Sequence, residues 1–193
     1  SLISKYQLPL PYATATPPFG TAIIADSDKV YLGTSKWDGE EFNIINIQDP
    51  AYPHIMGSYE VGSKVENIMI RDNLAYIANA GQEQLLILDM SDPSNIRKIS
   101  SFSPSGYTRQ EGKTLSYFNE QTYFGRTSGG FDIDSDHELF SLPKYNSMNF
   151  SGGIYGLVPY RTHILGITRK GGSEIAILRN DFSSTTLANM SLP

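Results

Sequence analysis

The chain has 193 residues, of which 18% are charged, with a formal net charge of −5 and no cysteine. This length predicts one domain with a full hydrophobic core. The negative charge and the lack of a Lys/Arg run exclude nucleic acid as an expected partner. The lack of cysteine excludes disulfides and thiolate metal sites. No apolar run approaches the roughly 18 residues that a membrane-spanning helix needs, so no membrane insertion is expected in this segment.

The chain opens with a segment, 3–8, that is predicted as an outer strand, followed by a proline-rich linker up to residue 20. Short apolar runs separated by turn residues then predict two groups of four antiparallel strands. The first group is 21–25, 29–34, 41–47 and 54–61. The second group is 66–71, 74–79, 84–90 and 96–102. Asp49-Pro50 and Asp92-Pro93 supply the turn chemistry before the last strand of each group.

Two further groups of strands follow with weaker patterns. The third is 115–118, 121–126, 130–134 and 139–142. The fourth is 154–158, 163–168, 174–178 and 185–191. No window shows a sustained i, i+3, i+4, i+7 stripe, so the interpretation is all-β throughout.

A short repeated triplet links the four groups. It reads Tyr-aliphatic-small and occurs as Tyr31-Leu32-Gly33, Tyr76-Ile77-Ala78, Tyr123-Phe124-Gly125 and Ile164-Leu165-Gly166. Intervals of roughly 40 to 47 residues between groups of short strands are typical of propeller blades. The sequence therefore predicts one β-propeller domain of four four-stranded blades, over about 20–61, 62–104, 111–146 and 152–193.

The N-terminal segment leaves two arrangements open. Either the strand at 3–8 joins the last blade and closes a four-bladed ring, or the chain is part of a larger propeller. The second is favoured, because the chain starts with Ser1 rather than Met and ends abruptly after its last predicted strand. We therefore expect a segment of a longer, processed protein.

A family resemblance is carried by the stretch from Leu85 to Asn95, Leu-Leu-Ile-Leu-Asp-Met-Ser-Asp-Pro-Ser-Asn, and by the strand before it. It resembles the LVIVD repeat, and residues 44–50 match in the first group with Asn46 in place of Asp. The resemblance extends over about residues 20–104; the later groups lack the Asp-Pro turn. It implies a β-propeller of bacterial or archaeal origin, outside the cytoplasm or at the cell surface, and it carries over no catalytic residues.

One acidic cluster is a candidate metal site. Alternate carboxylates can supply the oxygen ligands that Ca²⁺ prefers. The same alternation also fits a strand with its acidic side chains facing water, and His137 stands where an EF-hand needs glycine. The candidate ligands are Asp132, Asp134, Asp136 and Glu138. Apart from this Ca²⁺ site, no cofactor is expected.

Candidate binding residues lie in the predicted loops on one face of the blades. Trp37 is the only tryptophan and stands in a polar loop. It is either an aromatic anchor, of the kind that dominates interface energetics, or a ring folded over its own blade edge. The full candidate set is Trp37, Asp38, Tyr107, Arg109, Arg126 and Arg169.

Three functions fit these observations. The first is a non-enzymatic binding domain that recognises a protein or glycan through these loops. The second is a structural domain that mediates self-association. The third is a propeller hydrolase or lyase, which would depend on the carboxylates around Asp132. No nucleophile elbow of the form Gly-x-Ser-x-Gly is present, so the binding domain is favoured.

Overall fold

A computed structural model describes residues 2–13, 15–103, 111–127, 139–142, 146–148, 153–168, 175–179 and 188–190. The chain divides into two compact units, Ser1–Phe102 and Ser103–Pro193, here called the N-terminal and C-terminal units. The described residues form sixteen strands in four four-stranded sheets. Every strand pair is antiparallel, as predicted.

The N-terminal unit contains the first two blades. The first comprises β1 Gly20–Asp26, β2 Lys29–Thr34, β3 Phe42–Asn46 and β4 His54–Tyr59. The second comprises β5 Val65–Arg71, β6 Leu74–Asn79, β7 Leu85–Asp89 and β8 Arg97–Phe102. Both sheets run in chain order, so each is a meander joined by short turns. All eight predicted strands of this unit are confirmed, with ends that move by a few residues.

The C-terminal unit contains the other two blades. The third comprises β9 Gly112–Phe118, β10 Gln121–Arg126, β11 Leu139–Leu142 and β12 Asn146–Met148. The fourth comprises β13 Ile154–Tyr160, β14 His163–Thr168, β15 Ile175–Arg179 and β16 Ala188–Met190. The strand order of each sheet again follows the chain.

The third blade corrects one prediction. Leu139–Leu142, predicted as the outer fourth strand, pairs directly with β10 and is the third strand. Asn146–Met148 pairs with it and takes the outer position. The predicted third strand, 130–134, lies outside the described residues. Alternation along the chain identifies strands, but pairing with β10 is a non-local contact that a local pattern does not determine.

The N-terminal segment corrects a second prediction. Residues 3–8 form no β-ladder in the described part of the chain. The segment is held instead by side chains: Leu8 is buried, and the Ser4 hydroxyl donates to the Pro50 carbonyl at 2.5 Å. A groove of about 480 Å³ remains between this segment and the first blade. Its walls are apolar, and they include Ile3, Tyr6, Val30, Ile45 and Ile47.

The core of the N-terminal unit lies between its two blades. Tyr31 and Phe42 of the first blade stack with ring centroids 6.4 Å apart. They pack in one cluster with Ile68, Ile77 and Leu88 of the second blade. Alternate residues of each strand point to this core, because side chains in a strand alternate between faces. We call the face that a blade turns toward the following blade of its unit its forward face, and the opposite one its rear face. In the last blade of a unit, the forward face is the equivalent face of the sheet.

Candidate functional site

Trp37 lies in the loop between β2 and β3 and packs against its own loop. Its indole Nε1 donates to the Glu40 carbonyl at 3.1 Å. A Cβ added at Gly39 would lie 2.5 Å from the indole ring, so glycine is what lets the ring settle there. The ring remains partly exposed. The loop therefore presents an aromatic surface whose orientation is already fixed by the chain.

Two further aromatic residues are attached to this loop from the segment before β1. The Tyr12 hydroxyl donates to Asp38. Phe19 is held by two bonds to Ser35: its amide donates to the Ser35 hydroxyl at 3.1 Å, and the Ser35 amide donates to its carbonyl at 2.9 Å. Tyr12 is 51% exposed and Phe19 79% exposed. We call Tyr12, Phe19 and Trp37 the aromatic edge.

Sequence reasoning missed Tyr12 and Phe19. Both fall in the proline-rich stretch that was interpreted as a linker. The available signal was the presence of large aromatic side chains in a segment whose composition otherwise indicates a loop. Their attachment to the β2–β3 loop depends on side-chain hydrogen bonds between residues 16 and 26 positions apart, which no local pattern reveals.

Charges beside the aromatic edge are mainly negative. Asp38, Glu40 and Glu60 are exposed, and Lys36 is the neighbouring cation. The Lys36 ammonium lies 2.8 Å from Glu41 and 2.5 Å from Glu60. Its contact with Glu41, followed by that with Glu60, raises the pKa of Lys36, so it stays protonated. The hydrogen bond to Asp38 raises the pKa of the Tyr12 phenol above its ordinary value.

Glu41 is the buried acid under this edge and holds the junction between the blades. It is fully buried, and its Oε2 accepts from the amides of Val61 and Gly62, both at 2.9 Å. Its Oε1 forms the ion pair with Lys36. Gly62 has φ +80°, a left-handed conformation that favours glycine. Glu41 thus positions the connection to β5.

The next loop, between β6 and β7, joins the same edge of the unit. Asn79 organises it: Oδ1 accepts from the Gly81 amide at 2.7 Å and from the Ser63 hydroxyl at 2.8 Å, while Nδ2 donates to the Glu83 carbonyl at 2.7 Å. The Glu83 carboxylate pairs with Lys98 and accepts from Ser101. The Lys98 contact, followed by Ser101, lowers the pKa of Glu83. Both loops are therefore rigidly held.

Of the other sequence-predicted binding residues, Arg126 is described by the structure, and it belongs to the C-terminal unit. Arg126 is the last residue of β10 and is 2% exposed, so the expectation that it lies in an exposed loop is wrong. The strand has the bounds predicted for it, 121–126, and its pairing with β9 shifts register between Gly125 and Arg126. Tyr107, Arg109 and Arg169 lie outside the described residues.

The candidate metal ligands Asp132, Asp134, Asp136 and Glu138 also lie outside the described residues, so the Ca²⁺ site stays a prediction. Among the described residues, no three His, Asp or Glu side chains are grouped to hold a metal ion. His54 Nδ1 lies 3.4 Å from the Tyr52 carbonyl, which accepts when that nitrogen is protonated, and His163 lies beside the Thr162 hydroxyl. Nor does the described part of the chain contain a helix of the length and apolarity that a membrane crossing requires.

Comparison with known families identifies the repeat. Residues 37–61 and 62–103 match the family model described as the LVIVD repeat. Residues 37–103 thus match two LVIVD repeats. The predicted resemblance is thereby confirmed over residues 37–103, which hold the loop of Trp37 and the whole second blade. The search of curated proteins found none that matches the chain.

Solved structures confirm the fold. The chain is similar to the β-propeller domain of Cps50 (Swd1) from Myceliophteria thermophila, with TM-score 0.51 and 14% identity over 78% of this chain and 51% of that one. It is similar to a chain of a nidogen/laminin complex, with TM-score 0.58 and 13% identity over 93% and 65%. It is also similar to the computationally designed Ika4 protein, with TM-score 0.56 and 10% identity over 91% and 98%. The LVIVD blades therefore belong to a β-propeller fold.

Proposed function

We propose that this chain is a non-enzymatic interaction domain that binds a protein partner through the aromatic edge. Tyr12, Phe19 and Trp37 carry the proposal, because aromatic side chains dominate the energetics of protein interfaces. Side-chain hydrogen bonds hold Tyr12 and Trp37 to this loop, and hydrogen bonds to Ser35 fix the main chain of Phe19. A surface that is ordered before binding loses little conformational entropy when a partner docks.

The partner surface that fits this edge is basic. The exposed carboxylates of Asp38, Glu40 and Glu60 outnumber the neighbouring cation, Lys36. Aromatic faces also attract the guanidinium group of arginine and the ammonium group of lysine. Charge complementarity of this kind steers association and selects the partner. We therefore assign a segment rich in arginine or lysine as the ligand of the edge.

Two further observations support an interaction domain rather than an enzyme. A structurally similar chain is part of a nidogen/laminin complex, which is an assembly of proteins. The low charged fraction, with polarity supplied by Ser, Thr, Asn, Gln and Tyr, suits a protein that is exported or displayed on the cell surface. An extracellular or cell-surface location is thus part of the proposal.

A displayed library of random peptides tests the proposal directly. The chain is immobilised, binders are selected, and the enriched sequences are read. The variant carries Tyr12→Ala, Phe19→Ala and Trp37→Ala together. Tyr52→Ala is the matched control, since Tyr52 is 77% exposed in the β3–β4 turn at the other end of the same sheet.

Enrichment of Arg- and Lys-rich peptides is expected, with binding lost in the triple variant and kept in Tyr52→Ala. The circular-dichroism melting temperature of the triple variant should stay within a few degrees of the parent, because these side chains are surface groups. Enriched peptides without basic residues, or selective binding to a glycan array with no peptide enriched, would contradict the proposal.

A further inference from the structure

One contact recurs where a blade meets the following one inside each unit. A Cβ added at Gly33 of β2 would lie 2.4 Å from Val65, the first residue of β5. A Cβ added at Gly125 of β10 would lie 2.8 Å from Ile154, the first residue of β13. A glycine on the forward face thus receives a β-branched side chain from the first strand of the next blade.

The register of the fourth blade puts a large residue at this glycine position. In the fourth blade Thr168 pairs with Ile154, and in the third blade Arg126 pairs with Gly112. These two pairs occupy equivalent positions, so Ile167 is the equivalent of Gly125. Ile167 is 56% exposed. The triplet of the fourth blade is therefore Leu165-Gly166-Ile167, and the sequence-based alignment on Ile164 was one residue too early.

The forward face of the fourth blade is apolar and open. Pairing of Val158 with Leu165 and of Tyr160 with His163 puts these residues on the same face as Ile167. Val158 is 58% and Tyr160 56% exposed. The β15 residues opposite Leu165 and Ile167 are Ile177 and Ile175, both partly exposed. Contiguous exposed apolar surface of this kind marks an interaction site.

The first blade has the reverse feature on its first strand. In the first blade Gly20 pairs with Thr34, and in the second blade Val65 pairs with Asn79 at the equivalent position. The first blade therefore has a glycine at the position where the second blade has Val65 and the fourth has Ile154. A Cβ added at Gly20 would meet only the Leu32 side chain, at 3.6 Å. On the rear face of β1, Ile23 is 72% exposed and Ala25 is also exposed. Strand β1 therefore offers space where β5 and β13 offer volume, and β9, with Gly112 opposite Arg126, also carries a glycine there.

We propose that the forward face of the fourth blade binds strand β1 of a second copy of the chain, with Ile167 seated over Gly20. In the contacts of Gly33 with Val65 and of Gly125 with Ile154, the glycine lies on the forward face and the large side chain on the first strand of the next blade. The proposed pair has the large side chain on the forward face and the glycine on the first strand, and it fills the same gap between sheets. The exposed Val158 would then pack against Ile23 of the second copy. One chain carries both complementary faces, so copies join head to tail, and this heterologous interface builds rings or longer arrays.

Sedimentation velocity over a range of concentrations tests the proposal. The parent protein is expected to form species larger than the 21.4 kDa monomer, in proportions that rise with concentration. Gly20→Val places two large residues together, and Ile167→Gly leaves a cavity. Each is expected to weaken association by roughly tenfold or more.

The double variant Gly20→Val, Ile167→Gly recreates the order found at Gly33 and Val65, and we expect it to restore association. Ile99→Gly is the matched control, because Ile99 is 55% exposed on β8, in another blade, and should leave association unchanged. Thermal melts show that each variant is folded. A parent that stays monomeric at all concentrations, or a double variant no better than either single one, overturns the proposal.

Discussion

Glu41 is the residue on which the junction between the first two blades depends. Its fully buried carboxylate satisfies the amides of Val61 and Gly62. Glu41→Ala removes the buried acceptor of two part-buried amides, and we expect it to lower the free energy of unfolding by about 1–3 kcal/mol. Glu41→Gln keeps an acceptor oxygen and should cost less, about 1 kcal/mol. Urea unfolding measures both.

The second blade supports this expectation, since Gln84 stands directly before β7 as Glu41 stands before β3, and it is also buried. Glu40→Ala, at an exposed neighbour, is the control and should be close to neutral. Equal damage from Glu41→Gln and Glu41→Ala would show that the ion pair with Lys36, rather than the accepted hydrogen bonds, holds the junction.

Asp92 provides a pH-dependent contribution at the turn before β8. Its Oδ1 accepts from the Ser94 hydroxyl at 2.6 Å and from the Ser94 amide at 3.0 Å. These bonds, the hydroxyl first, lower the pKa of Asp92 below its ordinary 3.8. A lowered pKa means stability that is present above pH 3.8 and is lost as the pH falls through the lower folded value.

Asp92→Asn keeps an acceptor that does not titrate. The melting temperature of the parent should therefore fall more steeply than that of Asp92→Asn between pH 4 and pH 2, so that the gap between them closes or reverses. Differential scanning calorimetry at several pH values measures this. Parallel curves for the two proteins across that range would rule out a contribution from ionised Asp92.

At the scale of the element, the Asp-Pro turn of one blade fits against a glycine of the blade before it. A Cβ added at Gly57 of β4 would lie 1.7 Å from the Pro93 carbonyl oxygen. Because that atom belongs to the backbone, the 3₁₀ turn Pro93–Asn95 would have to move. We expect Gly57→Ala to lower the free energy of unfolding by roughly 1–3 kcal/mol.

Ser58→Ala, one residue along β4, serves as the control and should cost less than half as much. Chemical unfolding of the two variants gives the comparison. If Gly57→Ala unfolds at the same denaturant concentration as the parent, the turn does not dock against β4 in solution.

An element could be predicted from the sequence when the residues that determine it lie close together in the chain. The first two blades follow from tight turns and apolar runs, and all eight strands were found. The third strand of the third blade and the triplet of the fourth were misplaced, because both depend on pairing register. Register shifts of one residue occur at bulges, such as that between Ile154 and Gly156, and these leave little trace in sequence.

The candidate site was predictable only in part. Trp37 and Asp38 stood out as a tryptophan and an acid in a polar loop, and they lie at the aromatic edge. Tyr12 and Phe19 did not, since their places depend on contacts with Asp38 and Ser35 far along the chain. Arg126 was misjudged because its strand bounds follow from the local pattern, whereas its burial depends on packing that a local pattern does not show.

At the scale of the whole molecule, the small residue of the repeated triplet has a physical role. It is the point at which the first strand of the next blade approaches, as Gly33 shows with Val65 and Gly125 with Ile154. Interval and triplet together thus predicted the β-propeller. This one-for-one fit of volumes between the two blades of a unit is the central claim about how the repeats pack.

A double-mutant cycle on Gly33 and Val65 tests that claim most directly, with the free energy of unfolding measured in urea. Gly33→Val should cost about 1–3 kcal/mol through overlap, and Val65→Gly about 2–4 kcal/mol through the cavity it leaves. We predict that the double variant, which exchanges the two volumes, is more stable than the sum of the single losses by at least about 1 kcal/mol. Strictly additive losses would contradict the account.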